Sequence, residues 1–332
     1  MSGMKLKTIK RVLHNQLTNW VNSIDEPRVR DIAKVNAFVT GGSIASMLLG
    51  EKIKDFDVYF RTKEAAFAVA QYYVDQFNGD NDCSLEVREA KVENIKGELE
   101  ERIMIWIRSA GVVKSEDFAG MCSKDQDENE FLQQDNASGE DSDELIEEAL
   151  DCKKADMTGE GAREKFRPVF MSQNAITLTD KMQLVIRFFG EPEDIYENYD
   201  FQHVCQAYTY HDNKLHTDKA ALESLITKTL YYQGSLYPVA SFFRTKKFIE
   251  RGWKVSAGQM MKIVWQISHL NLHDIKVLRE QLTGVDALYM HAVIRLLRES
   301  EAGAERPEGM EDHVDGTYLM KILDEVFGDR VL

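Results

Sequence analysis

The stretch FVTGGSIASMLLGEKIKDFDVYF (38–60) constrains the fold of this chain more than any other segment does. The β-branched and aromatic run VNAFVT (35–40) predicts a strand that ends at a Gly-Gly-Ser turn. IASMLLG (44–50) predicts a short helix closed by a glycine. The alternation of polar and apolar residues in DFDVYFR (55–61) predicts a second, half-buried strand. The unit is therefore strand, glycine turn, helix and strand.

This unit carries residues whose chemistry suits a nucleotide and a metal ion. Gly41 and Gly42 let the backbone turn tightly and approach a ligand closely, and Ser43 opens a helix, where free N–H groups favour a phosphate. Asp55 and Asp57 are two apart on a strand, so both side chains leave the same face. Two such carboxylates repel each other unless a cation lies between them, and Mg²⁺ also binds nucleotide phosphates. The sequence predicts a triphosphate site beside a metal site.

These residues fit a known pattern, GGxVRDxLLGxxxxDxD, at Gly41, Gly42, Leu48, Leu49, Gly50, Asp55 and Asp57. In this the chain resembles the DNA polymerase beta superfamily of nucleotidyltransferases, and it is most similar to the head domains of CCA-adding enzymes and bacterial poly(A) polymerases. Ala45-Ser46 stands where that family has Arg-Asp, and no EDxxR motif follows, which argues against CCA addition itself. Most of the chain also resembles predicted nucleotidyltransferases of tailed bacteriophages.

The resemblance implies a fold and a reaction. The fold is α+β: a polymerase beta-like mixed sheet with flanking helices, followed by an α-helical C-terminal domain. The reaction is transfer of a nucleoside monophosphate from an NTP, with ATP preferred, to an acceptor hydroxyl, for which an RNA 3′ end is favoured. Two Mg²⁺ ions are expected, with Mn²⁺ as an alternative. Other readings are a protein or small-molecule acceptor, and a non-catalytic binding protein that keeps the fold.

The superfamily often uses a third carboxylate on a later strand, and two residues fit. Asp200 in YDF (199–201) is favoured because it opens an expected strand, DFQHVCQAYTY (200–210). Glu86 in LEV (85–87) is the alternative. Asp200 could instead simply end the preceding helix. His203 on the same expected strand either lines the site or is structural.

A basic segment follows in SFFRTKKFIERGW (241–253). Arg244, Lys247 and Arg251 are spaced i, i+3 and i+7, so they share one helical face. CCA-adding enzymes have an arginine-rich helix after the head domain that helps hold the nucleotide, and the resemblance implies that role for Arg244 and Lys247. A solvated helix face is an equal alternative.

The chain is expected to divide into N-terminal helices (1–35), a nucleotidyltransferase head (36–215) and a helical C-terminal domain (216–332). Within the head, residues 116–164 hold 17 acidic and four basic side chains, so they carry −13 of the total charge of −15. We interpret them as a flexible insertion with a short helix at 143–151, and a sharper hypothesis is that they compete with nucleic acid for the basic segment. The run KMQLVIRFFG (181–190) is expected to form an amphipathic helix capped by Thr179-Asp180.

The remaining composition excludes several classes of protein. There is no apolar stretch of 18 residues and no signal-peptide pattern, so we expect no membrane partner. The four cysteines form no CxxC pair, which indicates neither a zinc site nor a disulfide framework. A cytoplasmic protein is expected, in the cytoplasm of the host if a phage encodes it.

Overall fold

The structure is a computed structural model that describes residues 3–81, 84–93, 99–107 and 165–274, together with 277, 278 and 281. The acidic insertion predicted at 116–164, including its short helix, lies outside the described residues. So does most of the C-terminal region after residue 274. None of the helices in the described part of the chain is long and apolar enough to span a membrane.

A seven-stranded mixed sheet forms the centre of the molecule, in the order β5-β6-β7-β2-β1-β8-β9. Neighbouring strands are antiparallel except β2 and β7, which run parallel. The strands and a separate two-stranded ribbon of β3 and β4 have these bounds: β1 Ala37–Thr40, β2 Phe56–Phe60, β3 Leu85–Glu93, β4 Leu99–Ile107, β5 Pro168–Met171, β6 Ala175–Leu178, β7 Met182–Phe189, β8 Gln206–Thr209 and β9 Lys214–Thr217.

Helices flank this sheet, so the α+β class with a mixed sheet is confirmed. Their bounds are α1 Leu6–Ser23, α2 Pro27–Asn36, α3 Gly42–Leu49, α4 Lys63–Asn81, α5 Pro192–Tyr196, α6 Lys219–Thr227, α7 Pro238–Glu250 and α8 Ala257–Ile267. Beyond residue 216 the described elements are mainly helical, as expected, while the domain boundaries at 35 and 215 stay predictions.

The main core lies between one face of the sheet and helices α1, α2 and α4. Five apolar residues of α1 recur at helical spacing and are buried: Ile9, Leu13, Leu17, Trp20 and Val21. They pack with Phe56, Val58 and Phe60, which are alternate residues of β2. The Trp20 indole N–H also donates a hydrogen bond to the Tyr73 hydroxyl of α4 (2.9 Å). Because side chains alternate along a strand, Asp57 and Tyr59 of β2 must leave by the opposite face.

That opposite face carries a smaller cluster of buried residues: Phe38, Tyr59, Val185, Ile195 and Ala207. The segment after α6 contacts this side of the molecule through hydrogen bonds. The Gln233 amide donates to the carbonyl oxygens of Tyr196 and Tyr199 (both 3.1 Å), and the buried Arg187 guanidinium donates to the Tyr237 hydroxyl (3.1 Å). The helical region therefore packs close to the face that carries Asp57.

Two sequence predictions of secondary structure were wrong. Residues 181–190, expected to be a helix, form strand β7 between β6 and β2. Asp180 and Lys181 have left-handed φ values of 61° and 59°, so they form the turn of a β6–β7 hairpin rather than a helix cap. A short apolar run that is buried on both faces has no periodicity to distinguish strand from helix.

The strand expected over 200–210 is shorter than predicted. Phe201 makes an isolated bridge to Tyr232, residues Gln202–Val204 form a 3-10 turn, and β8 begins only at Gln206. Asp200 and His203 therefore precede the strand on which they were expected to lie.

Candidate active site at the N-terminus of α3

The glycine turn and the acidic strand meet at the start of α3. Gly41 links β1 to α3 with φ 90° and ψ −148°, a conformation that an L side chain rarely adopts. A Cβ atom on Gly41 would lie 3.1 Å from Asp57 Oδ2 and 3.5 Å from the Tyr199 hydroxyl. Only glycine therefore fits at this point, and it brings the turn into contact with the carboxylate.

Asp57 lies in the middle of the sheet with polar neighbours in register. Thr40 of β1 is its partner on one side, and Gln183 of β7 is its partner on the other. Asp57 is 6% exposed, whereas Asp55, which precedes β2, is only partly buried. The acidic pair thus runs from a buried position towards solvent, so a ligand can reach it from the Asp55 side.

Two tyrosine hydroxyls lie beside the acidic pair. Burial raises the pKa of Tyr59 well above its ordinary value, and the negative charges of Asp57 and Asp55 raise it further. Burial also raises the pKa of Tyr199, with smaller contributions from Tyr59 and Asp57. Both phenols are therefore neutral at physiological pH, so they can donate hydrogen bonds to an anionic group.

The first turn of α3 presents groups suited to an anion. Ser43 is 2% exposed, and its buried hydroxyl has no hydrogen-bond partner among the residues that the structure describes. Gly42, the first residue of α3, is exposed, and a Cβ there would meet nothing within 4 Å. A phosphate placed here would meet free N–H groups, the positive end of the helix dipole and the Ser43 hydroxyl.

The donor set fits Mg²⁺ better than a metal that needs a full protein cage. No group of three or more His, Cys, Asp or Glu residues that could hold a metal occurs in the described part of the chain. Mg²⁺, however, usually keeps several waters and is held by one or two carboxylates plus substrate phosphates. Asp55 and Asp57, next to the turn that is predicted to bind phosphate, fit that combination.

The sequence predicts Asp200 as the third metal ligand, but in the described part of the chain Asp200 forms no metal-holding group with Asp55 and Asp57. Its carboxylate accepts a hydrogen bond from Arg244 Nη1 at 2.7 Å, and both side chains are largely buried. The physical reason is the shortened strand, because Asp200 precedes β8 and faces helix α7 instead of extending the sheet.

His203 is packed between the rings of Phe248 (4.8 Å) and Trp253 (4.5 Å), and burial lowers its pKa to about 4.

Glu86, the alternative third carboxylate, is also placed elsewhere. It lies on β3 of the two-stranded ribbon, opposite Trp106, and not on the seven-stranded sheet. Its carboxylate pairs with Arg88. The ribbon therefore does not bring Glu86 to the acidic pair.

The basic face of α7 is largely engaged in ion pairs. Arg244 binds Asp200, and Arg251 binds Glu51 at 2.8 Å, just beyond the end of α3. Lys247 is partly buried on the same helix. The cations thus attach α7 to the head of the molecule, and a nucleotide-holding role for Arg244 and Lys247 stays a prediction.

Sequence reasoning missed four residues that surround Asp57: Thr40, Tyr59, Gln183 and Tyr199. Strand alternation could have found Tyr59, two residues after Asp57, and Thr40, next to the glycine turn. Gln183 was hidden by the incorrect helix prediction, and no local signal marks Tyr199.

The fold and the site define an α+β protein with a glycine turn and an acidic pair converging at a helix N-terminus on the central sheet. The chain belongs to the Gabija anti-defense 2 family, whose model matches residues 11–228. A search of curated proteins found no match.

Several solved structures of CCA-adding enzymes resemble the chain distantly. The Thermotoga maritima CCA-adding enzyme complexed with tRNA is 10% identical, with 93% of this chain and 68% of that chain covered and a TM-score of 0.35. A CCA-adding enzyme with CTP is 11% identical, with 93% and 67% covered and a TM-score of 0.37. The Bacillus stearothermophilus CCA-adding enzyme with CTP is 10% identical, with 83% and 51% covered and a TM-score of 0.32.

Proposed function

We propose that this protein is a Mg²⁺-dependent nucleotidyltransferase that moves a nucleoside monophosphate from an NTP, preferentially ATP, to an acceptor hydroxyl. The observation that carries the proposal is the proximity of Gly41 to Asp57, since a Cβ added at Gly41 would lie 3.1 Å from Asp57 Oδ2. It supports a site in which the turn that we propose to bind phosphate lies beside Asp57 of the acidic pair. Either feature alone would be an ordinary turn or an ordinary strand face.

The triphosphate is bound by the first turn of α3. The exposed backbone of Gly42 lets phosphate oxygens approach the N–H groups closely, and the Ser43 hydroxyl gains the hydrogen-bond partner that it lacks among the described residues. The neutral phenols of Tyr59 and Tyr199 line the same place and orient oxygens near Asp57 without adding negative charge.

Asp55 and Asp57 would hold the metal. We propose two Mg²⁺ ions, for which Mn²⁺ can substitute. The metal would neutralise the charge of the phosphates and lower the pKa of the acceptor hydroxyl. The acceptor oxygen attacks the α-phosphorus and its proton leaves to solvent. The bond from the α-phosphorus to the bridging oxygen breaks, and pyrophosphate departs. Asp200 takes no part, because it pairs with Arg244.

Two acceptor classes are to be distinguished. An RNA 3′ end follows from the sequence resemblance to poly(A) and CCA enzymes. A hydroxyl on a protein component of a defence system is favoured by the anti-defence description of the family. The ion pairs of Arg244 and Arg251 leave less free positive charge on α7 for RNA than the sequence indicated.

The test is label transfer. The full-length protein is incubated with each α-labelled NTP, Mg²⁺, total RNA and an extract of cells that carry a Gabija system. We expect label in a macromolecular fraction, sensitive to RNase or to protease according to the acceptor. Absence of labelled product from every fraction, with ATP and Mg²⁺ still bound, would support the non-catalytic alternative.

A further inference from the structure

A row of polar residues crosses the sheet at the level of Asp57. Thr40 pairs with Asp57, Asp57 pairs with Gln183, and Gln183 pairs with Thr177. Residues in register on neighbouring strands share a face, and neighbouring strands lie about 4.8 Å apart. The Gln183 side chain therefore leaves the sheet directly beside the Asp57 carboxylate.

The Gln183 carboxamide is available to a ligand. Gln183 is partly buried, yet its side chain makes no hydrogen bond with any residue in the described ranges. The other members of the row are more enclosed, since Thr40 is fully buried and Thr177 is 7% exposed. The Thr40 hydroxyl also donates a hydrogen bond to the Gln206 carbonyl oxygen (2.7 Å). Within the row, only Gln183 offers a polar group next to Asp57 that is both accessible and without a protein partner in the described chain.

The charge of the site explains why an amide suits this place. Asp55 and Asp57 supply two negative charges, and neither Asp200 nor Glu86 adds a third. A side-chain amide oxygen is a hard donor that can bind a divalent cation directly or through one of its waters, and it adds no charge.

We infer that Gln183 is the third protein oxygen at the cation site, standing where a third carboxylate would otherwise be required. The inference rests on the proposed function, because it assigns a residue to the same metal site. It makes a specific statement about charge: the protein contributes −2, so its affinity for a cation without nucleotide is modest and rises if position 183 carries a carboxylate.

The test replaces Gln183 in the full-length chain and measures thermal unfolding with and without Mg²⁺ or Mn²⁺, and Mn²⁺ binding by electron paramagnetic resonance, both without nucleotide. Gln183→Glu places a carboxylate beside Asp57, so the metal-free protein should melt lower than wild type. Its metal-induced rise in Tm should be larger than that of wild type, with Mn²⁺ bound at least about tenfold more tightly. Gln183→Leu should bind Mn²⁺ about tenfold more weakly.

Thr177→Val is the matched control, since it changes the next residue of the row and should leave Mn²⁺ affinity unchanged. A purely structural Gln183 would give destabilised variants whose metal-induced shifts equal that of wild type, and that result overturns the inference. Asp57→Asn separates this outcome from failure of the proposed function. If Asp57→Asn binds Mn²⁺ as well as wild type, the metal site itself is misplaced, whatever Gln183 does.

Discussion

Arg244 donates a hydrogen bond to Asp200 across 2.7 Å and joins helix α7 to the segment before β8. The two side chains are only 17% and 11% exposed, so removal of one partner leaves a largely buried charge. We expect Asp200→Asn to lower the free energy of unfolding by about 3 kcal/mol, as for other buried pairs that lose one member. Denaturant unfolding measures this change.

The same variant tests whether Asp200 is a metal ligand. Because Asp200 pairs with Arg244 and takes no part in the proposed reaction, nucleotide transfer and Mn²⁺ binding by Asp200→Asn should stay within about threefold of wild type at a temperature where the variant is folded. A loss of metal binding in a folded Asp200→Asn protein would restore Asp200 to the active site. The double variant Asp200→Leu, Arg244→Leu should lose less stability than the two single losses combined, because no unpaired charge remains.

Gly42 provides a test in which stability and binding change in opposite directions. A Cβ at this position meets nothing within 4 Å, so Gly42→Ala should stabilise the fold by about 0.4–1 kcal/mol. The new methyl group, however, would obstruct the exposed backbone where the triphosphate is proposed to bind, and ATP affinity should fall about tenfold or more. Calorimetric titration with ATP and Mg²⁺ measures the loss.

Gly79→Ala is the matched control, because its Cβ is also unobstructed and it lies in α4, which packs against the opposite face of the sheet. It should gain similar stability and bind ATP as wild type does. Equal ATP affinity in Gly42→Ala and Gly79→Ala would argue against a phosphate at the first turn of α3.

The Ser43 hydroxyl gives a complementary prediction. It is buried without a partner among the described residues, so Ser43→Ala should cost no stability and can raise it. A hydrogen bond to a charged phosphate contributes about 1.5–3 kcal/mol, so ATP should bind at least about tenfold more weakly. Ser224→Ala is the contrasting control, since the Ser224 hydroxyl donates to the Thr229 carbonyl oxygen and its loss should destabilise the fold without changing ATP affinity. A destabilised Ser43→Ala with unchanged ATP affinity would assign Ser43 a structural role.

The buried side chain of His203 should make the stability of the folded protein depend on pH. Burial lowers the pKa of His203 from 6.5 to about 4, so the unfolded chain binds a proton in a range where the folded protein does not. Stability contributed by neutral His203 is therefore present above pH 6.5 and is lost as the pH falls towards 4, by up to about 3 kcal/mol. The difference in unfolding free energy between wild type and His203→Leu should shrink by this amount from pH 7 to pH 4. A difference that stays constant over that range would contradict the low pKa.

Local signals in the sequence were sufficient for one part of the fold and of the site. The glycine turn, the short helix closed by Gly50 and the strand of Asp57 depend on residues within about 20 positions of one another, and all three form, although the strand is buried on both faces and not half-buried as predicted. Gly50 adopts the left-handed conformation, with φ 71°, that closes α3.

The rest of the site depends on strand order, which local patterns do not encode. Strand β7 lies next to β2 only because the chain returns to the centre of the sheet after more than a hundred residues. Local sequence patterns therefore could not predict that Gln183 lies beside Asp57. The incorrect prediction of a helix over 181–190 also placed Gln183 outside the sheet. Asp200 matched a hydrophobic-acid-hydrophobic pattern, but tertiary pairing with Arg244 determined its place.

The most direct test of the central claim is the rate at which purified Asp57→Asn transfers α-labelled nucleotide, compared with wild type and with Asp200→Asn in the same assay. Substitution of an outer partner of a metal ligand costs 10–100-fold, so loss of the ligand itself should cost more than about a hundredfold, in a protein whose circular dichroism is unchanged. Asp200→Asn should transfer at close to the wild-type rate. Transfer by folded Asp57→Asn at the wild-type rate would contradict the assignment of this site as catalytic.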